Sequence, residues 1–394
     1  MSAIRVVHAF TFFHALGGVS SMLRRNWEGD ARHGLASQFL AYFEPDDGRT
    51  GRVRGLGLTW RNTIHQARAR FRQRLPAGAE IISYGNVWGV PFFADLDRAP
   101  RRIGALHGAS ADMPDYIRHA RGCLDGVICV SEPHRELAAR LLPELTADRI
   151  GFLPNPAGRE RVEIRQPPLA GRPLVIGYAG RLTRAEKRVD RLPLLARELD
   201  RLGLSYRLEI LGDGPERASL ERQFAGRANV ILHGRHTGEA YWTVLRQWDV
   251  LVLVSDFEGM PVSLLEGLSV GVIPLFPRIG SGGDAYAARV RDDLLYPAGD
   301  LGAAARAAQA LTRLSADELA ALRRRGGEVV QPHLGDCDLA AMSAFVHHIC
   351  ELPRLSPARF PARSFHWADH CPFGLLRRLY PRGVWRGNRP LTRG

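Results

Sequence analysis

The chain has 394 residues, too many for one ordinary hydrophobic core and suited to two domains of usual size. Its 45% hydrophobic and 24% charged residues are those of a folded globular protein and exclude a disordered one. The formal charge of +13 calls for an anionic partner, and charge alone admits nucleic acid, a phosphorylated substrate or an acidic membrane leaflet.

Residues 4–10 read as a strand, too short and too polar in its flanks for a signal peptide. No stretch reaches the roughly 18 consecutive apolar residues of a membrane-spanning helix. The five cysteines are an odd set without a CxxC pair, which points to a reducing compartment rather than to a disulfide framework or a metal finger. The expected location is cytoplasmic, with a peripheral place on the cytoplasmic face of the membrane left open. After the first strand, Phe12-Phe13-His14-Ala15-Leu16-Gly17-Gly18-Val19-Ser20 is a strand-to-helix loop whose paired glycines mark either a tight turn or a close approach to a ligand.

Further short apolar runs at 37–43, 80–84, 102–107, 126–130 and 150–153 alternate with helical patterns, the rhythm of βαβ units and a parallel sheet. His107 ends one of these strands, where ligands of open α/β sheets bind, although a histidine so placed can also be structural. Residues 60–75 carry Arg61, Arg68, Arg70, Arg72 and Arg74 among Ile64, Phe71 and Leu75, which fits a basic amphipathic helix on anionic lipid or a solvated surface helix. From Pro154 to Pro173 the rhythm breaks into a proline- and glycine-rich hinge.

A second series begins at once, with candidate strands at 174–178, 206–211, 229–233, 250–254, 272–276 and 294–296. The fold class is therefore α/β, two Rossmann-like domains facing across a cleft. The expected division is residues 1–165, residues 166–350, and a basic segment 351–394 that returns to the first domain.

In the second series, Tyr178-Ala179-Gly180-Arg181-Leu182 and Glu186-Lys187-Arg188-Val189-Asp190 place two cations beyond a strand and before a helix. Such a place suits a diphosphate, and equally a solvated helix start. Lys187 is the sole lysine of the chain, at a site where an ammonium and a guanidinium are not equivalent. Ser255-Asp256-Phe257-Glu258-Gly259-Met260-Pro261 follows an apolar strand, and Leu264-Leu265-Glu266-Gly267 continues as helix. Backbone N–H groups at Gly259 and Met260 can meet an anion, and Glu266 can accept two hydrogen bonds from a diol such as ribose. The plain alternative makes Glu258 a complement to the helix dipole and Glu266 a solvated residue. Asp336-Cys337-Asp338 spells a DxD motif but sits at an apparent helix start, where an aspartate N-cap is the simpler reading.

Arg181 with Lys187, then Glu258 and Glu266 in a Glu-x7-Glu pair, resemble the signature of the retaining GT-B glycosyltransferases of family 4. The intervening Leu211-Gly212-Asp213-Gly214-Pro215 and His233-Gly234-Arg235 agree in order and spacing, so the resemblance runs from about Val175 to Asp300. The family's Pro-Glu after the following strand is replaced here by Gly280-Ser281-Gly282-Gly283-Asp284.

The resemblance implies roles. Arg181 and Lys187 would hold the donor diphosphate, Glu266 the ribose and Glu258 the transferred sugar, with backbone near Gly234 approaching the base. Gly259, Met260 and Pro261 would line the donor loop. Gly17 and Gly18 would let backbone approach donor and acceptor, and His107 would touch the donor sugar near the reacting centre. The implied activity is transfer of a hexose from a nucleotide-diphosphate sugar, UDP favoured over GDP, to a saccharide or lipid-linked glycan acceptor in cell-surface polysaccharide biosynthesis. No cofactor and no metal are expected, since fixed cations take the leaving group's charge. The competing reading is a nucleotide-sugar epimerase or hydrolase of the same form. An anionic membrane surface remains a secondary partner, and the absence of any recognisable nucleic-acid motif sets nucleic acid aside.

Overall fold

A computed structural model describes residues 3–14, 18–46, 51–85, 87–96, 100–108, 113–158, 171–355 and 367–375. The chain forms two compact units, Met1–Leu153 with Asp338–Gly394, and Pro154–Cys337.

In the first unit β1 (Ile4–Phe10), β2 (Leu35–Ala41), β3 (Val53–Gly55), β4 (Ile81–Tyr84), β5 (Arg101–Leu106), β6 (Gly126–Cys129) and β7 (Ile150–Phe152) form a parallel sheet in the order β3-β2-β1-β4-β5-β6-β7. The strands are apolar on both faces because helices cover both. Along β1, Val7 and Ala9 enter one core while Ile4 and Val6 enter the other, the period-2 alternation of a pleated strand. β3 was not among the expected strands. It has one β-branched residue and is drawn into the sheet by pairing with β2, Val53 against Phe39 and Gly55 against Ala41.

The second unit contains β8 (Leu174–Ala179), β9 (Tyr206–Leu211), β10 (Val230–Gly234), β11 (Val250–Val252), β12 (Ile273–Arg278) and β13 (Leu295–Pro297), parallel in the order β10-β9-β8-β11-β12-β13. The helix Leu192–Arg201 buries Leu192, Leu195, Ala196 and Leu199, a stripe at helical spacing. Both sheets start at a central strand, run outward one way and then resume on its other side. Each therefore has one switch point, between β1 and β4 and between β8 and β11.

The expected boundaries need correction. The first crossing falls at 153/154 rather than 165/166, and the return at 337/338 rather than 350/351. The helix Cys337–Glu351 belongs to the first unit because Met342, Val346 and Ile349 pack with Ile4, Val6, Ile103 and Ile128. Asp336 directly precedes this helix, and Asp338 is buried in its first turn and accepts from Arg25 Nη2 at 3.2 Å.

The arginine-rich stretch near residue 64 is the helix Ile64–Arg74, started by a capping box between Thr63 and Gln66. Its apolar face, Ile64, Ala67 and Phe71, lies in the first unit's core. Arg68 makes two 2.8 Å bonds to Asp95, Arg70 bonds the carbonyls of Leu56 and Gly57, and Arg74 pairs with Asp46. The apolar stripe that a lipid surface would need is spent on the fold. No described helix is long and apolar enough to cross a membrane. The basic tail beyond Leu375 lies outside the described residues.

Candidate active site

In open α/β sheets ligands bind beyond the carboxyl ends of the strands at the switch point, where neighbouring loops part to opposite faces. In the second unit that point lies between β8 and β11, and the two motif segments occupy it. The loop after β8 carries Arg181 and Lys187, and the loop after β11 carries Glu258.

Lys187 Nζ meets both carboxylate oxygens of Glu258, at 2.7 and 2.8 Å. Ser255 Oγ donates to the same Glu258 Oε1 at 2.7 Å. The carboxylate is 6% exposed and the lysine side chain 21%, so the ammonium caps a buried charge and keeps an open side. An ammonium has three donors, and Glu258 engages it through two contacts. Arg181, half exposed, pairs with Glu186 Oε2 at 3.1 Å, and its carbonyl accepts from Tyr178 OH at 3.1 Å. The Tyr178 phenol is pushed above its ordinary range by burial and then by the Glu258 charge, an effect that Arg181 opposes.

The backbone behind Lys187 is held in an unusual shape. Arg188 is the sole described non-glycine residue with positive φ, at 48°. Its guanidinium reaches Asp190 at 3.1 Å and Asp256 at 2.7 Å, and Arg191 Nη1 meets the other Asp256 oxygen at 2.6 Å. A left-handed residue of this kind costs about 1–3 kcal/mol and persists where its surroundings over-determine it. Here two aspartates and a second arginine do so, and Asp256 N–H also donates to the Glu186 carbonyl at 3.1 Å.

Neighbouring loops are stitched to this one backbone to backbone. Leu182 N–H donates to the Asp213 carbonyl at 2.9 Å, Glu216 N–H to the Leu182 carbonyl at 3.0 Å, and Gly212 N–H to the Gly234 carbonyl at 2.9 Å. Gly212 has φ 153°, and a β-carbon there would lie 1.9 Å from the Gly180 carbonyl oxygen, so the close approach requires glycine. Gly234 ends β10 next to this junction.

Pro261 is the N-cap of the helix Val262–Ser269, which carries Glu266. Glu266 Oε2 accepts from Tyr241 OH at 2.5 Å. Burial pushes the Glu266 carboxyl up to about 7, and the Tyr241 hydrogen bond opposes that rise. The stretch 280–284 has a structural use: Ser281 and Asp284 form a capping box that starts the helix Gly282–Val290.

In the first unit His107 follows β5 at its carboxyl end. Burial, then the neighbouring His134, holds its imidazole near pKa 4, so the ring is neutral at pH 7. His134 is buried, and its ring bonds the backbone of Gly108, next to His107. His8 is likewise held near 4, by burial and then by His107. Gly18 opens the helix Gly18–Gly29, while Gly17 lies outside the described residues. Just before them, the N–H groups of Phe13 and His14 donate to the two Glu44 oxygens at 2.9 and 2.8 Å. Around Phe43 gather Phe12 at 5.6 Å, Trp60 at 6.1 Å and Trp88 at 5.6 Å between ring centroids, with Phe12 and Trp60 more than two fifths exposed.

The structure thus brings Lys187 to Glu258 and sets Arg181 nearby. Gly234 ends β10, Gly259, Met260 and Pro261 lie in the loop after β11, and Glu266 lies on the helix that follows, bonded to Tyr241. Ser255, Asp256 and Arg188 were visible in the motifs without a role. Tyr241, in an unremarkable helical stretch, gave no sequence signal at all. Among the described residues, no three His, Cys, Asp or Glu side chains converge as a metal site.

Two Rossmann-like units with this strand order define the GT-B class of fold. Residues 173–317 match the family model described as glycosyl transferases group 1. The lipopolysaccharide 1,6-galactosyltransferase of Salmonella typhimurium is 34% identical over 137 residues, 32% of this chain and 36% of that protein. The chain spans 36 to 41% of the length of the first curated relatives it matches. Among solved structures, the lipopolysaccharide outer core galactosyltransferase WaaB superposes with a TM-score of 0.65 at 17% identity, covering 87% of this chain and 99% of that one. Anabaena HepE in complex with UDP-glucose superposes with a TM-score of 0.68 at 12% identity, with the same coverage. At such identities the likeness is one of fold.

Proposed function

We propose that the protein is a retaining glycosyltransferase of family 4. It moves a hexose from a nucleotide-diphosphate sugar to a saccharide or lipid-linked glycan acceptor in cell-surface polysaccharide biosynthesis, on the cytoplasmic side of the membrane. The observation that carries this reading is the Lys187 ammonium held on Glu258 at the β8/β11 switch point, one Glu-x7-Glu step from Glu266. The HepE neighbour solved with UDP-glucose favours uridine over guanosine.

In this reading the donor diphosphate enters beside Lys187 and Arg181. When the bond between the sugar's anomeric carbon and the diphosphate oxygen breaks, its electron pair goes to that oxygen, and the two cations take up the growing charge without a metal. Glu258 orients the sugar hydroxyls and Glu266 the ribose. The acceptor hydroxyl attacks from the face the diphosphate leaves, through an oxocarbenium-like state, and its proton passes to the departing diphosphate oxygen. His107, neutral at pH 7, serves as a hydrogen-bonding partner of the sugar and not as an acid. The half-exposed rings around Phe43 stand ready for an acceptor in the first unit.

A thermal-shift panel of UDP, GDP and ADP with EDTA tests the donor site on wild type, Lys187→Ala and Glu266→Ala. A nucleotide at 100 times its dissociation constant stabilises by about 2.7 kcal/mol. The expected result is a UDP shift in wild type that both variants lose. No shift with any nucleotide would sink the reading. Product analysis from a UDP-sugar then separates transfer from hydrolysis or epimerisation, and anomeric NMR reads retention.

A further inference from the structure

Residues 258–261, which the proposed function places against the donor, are tied back through two consecutive carbonyls. The Gly259 carbonyl accepts from Gly282 N–H at 3.0 Å, at the start of the helix Gly282–Val290. The Met260 carbonyl accepts from Asn155 Nδ2 at 2.8 Å. Asn155 is remote in sequence, on the segment by which the chain enters the second unit. Its own carbonyl accepts from His333 Nδ1 at 2.6 Å, and His333 Nε2 meets Tyr286 OH at 2.7 Å. His333 stands close to the point where the chain leaves the unit, and Tyr286 is on the helix whose first N–H holds Gly259.

The protonation pattern follows from these contacts. Burial holds the His333 imidazole below its ordinary pKa, so it is neutral at pH 7. Nδ1 faces a carbonyl and must carry the hydrogen; Nε2 then accepts from the Tyr286 hydroxyl. The ring is braced from both sides, and it braces the Asn155 backbone in turn. Asn155, Met260 and His333 are all buried, so each bond is made where leaving it unmade is costly.

A trans peptide holds N–H and C=O in one plane, pointing in opposite directions from the C–N bond. With the Gly259 carbonyl fixed on Gly282, the Met260 N–H in the same peptide points away from the helix Gly282–Val290. With the Met260 carbonyl fixed on Asn155, the next peptide cannot rotate to undo this. We propose that Asn155 is a positioning residue of the donor site: braced by His333 and Tyr286, it sets the donor loop so that Met260 N–H meets the sugar diphosphate. The inference rests on the proposed function and adds residues that no donor-site motif contains.

The test uses the full chain as wild type, Asn155→Ala, Asn155→Asp and Tyr286→Phe. Asn155→Asp is isosteric and sets a carboxylate against the Met260 carbonyl. Binding of UDP and UMP, and of GDP and GMP, is measured by competition, beside the melting temperature. Both Asn155 variants should bind the diphosphate that wild type prefers about tenfold more weakly while binding its monophosphate within twofold of wild type. Tyr286→Phe, which removes only the outermost brace, should give a smaller loss of the same kind and a smaller fall in melting temperature than the Asn155 variants. Equal diphosphate affinity in wild type and the Asn155 variants would overturn the positioning role. So would parallel losses for di- and monophosphate, the mark of a merely structural residue, and if Asn155 variants fail to fold, an unchanged di-to-monophosphate ratio in Tyr286→Phe would do the same. If wild type binds no nucleotide, the donor-site reading itself falls, and this inference with it.

Discussion

At the scale of single residues, the candidate site depends on charges that hold one another in place. Lys187 neutralises a carboxylate that is nearly buried, so its loss removes a cation from the site and strands Glu258. Lys187→Ala is expected to lower kcat/KM for a UDP-sugar about 100- to 1000-fold, the range for loss of one fixed donor to developing charge. Lys187→Arg should not restore it, because a planar guanidinium cannot replace a compact ammonium between Glu258 and a phosphate. Steady-state kinetics on both variants checks this, and wild-type activity in Lys187→Arg would remove the special role of the chain's one lysine. Glu266 gives a prediction in pH. Its carboxyl is raised from 4.5 to about 7, so between those values the folded chain keeps a proton that the unfolded chain has released. Stability therefore falls as pH rises through that window. Glu266→Gln, which has no proton to lose, should melt above wild type at pH 8, with the gap closing toward pH 5. UDP affinity of wild type should rise from pH 6 to pH 8 as the carboxylate that accepts ribose hydroxyls forms. A pH-independent gap in melting temperature would contradict the Glu266 assignment.

At the scale of elements, the site is a set of strand-end loops sewn to one another, and the seams are as demanding as the side chains. Gly212→Ala would press a methyl group into the Gly180 carbonyl and separate the loop after β8 from the loop after β9. The expected cost is about 2–3 kcal/mol, with loss of UDP binding; chemical denaturation and a UDP titration measure the two. Unchanged stability would mean that the loops can part without harm. The elements also show what a linear pattern conveys. β1 and β9 match the expected residues 4–10 and 206–211 end to end, since apolar, β-branched runs between turn signals mark buried parallel strands. Residues 53–55 carry no such run, and β3 exists because β2 offers it an edge. The helix near residue 64 shows the converse: its arginines and apolar stripe are plain in sequence, but which surface the stripe meets is decided by Tyr84, Phe93 and their neighbours in the core.

At the scale of the whole molecule, the two units are unequal in how they are built. Residues 154–337 are one continuous stretch with a complete six-stranded sheet. Expressed alone, they should melt cooperatively and retain a UDP-induced shift, as calorimetry with and without nucleotide would show. The first unit is discontinuous, and residues 1–153 alone would leave Ile4, Val6, Ile103 and Ile128 without Met342, Val346 and Ile349. At about 1.5–3 kcal/mol for each large apolar side chain left exposed, this fragment should aggregate or bind a hydrophobic dye. A soluble, cooperatively melting 1–153 fragment would show that the returning helix is dispensable. The sequence by itself determined the fold class, the two-unit plan and the placing of Lys187 and Glu258 in the loops after β8 and β11, because hydrophobic period and motif spacing are local properties of the chain. Tertiary structure alone decided that Tyr241 would hold Glu266, that Asn155, braced by His333, would reach the Met260 carbonyl, and that the helix Cys337–Glu351 would pack with Ile4, Val6, Ile103 and Ile128 of the first unit. Those contacts join positions far apart in the chain, and only the packing of the strands and helices between them brings the partners within reach.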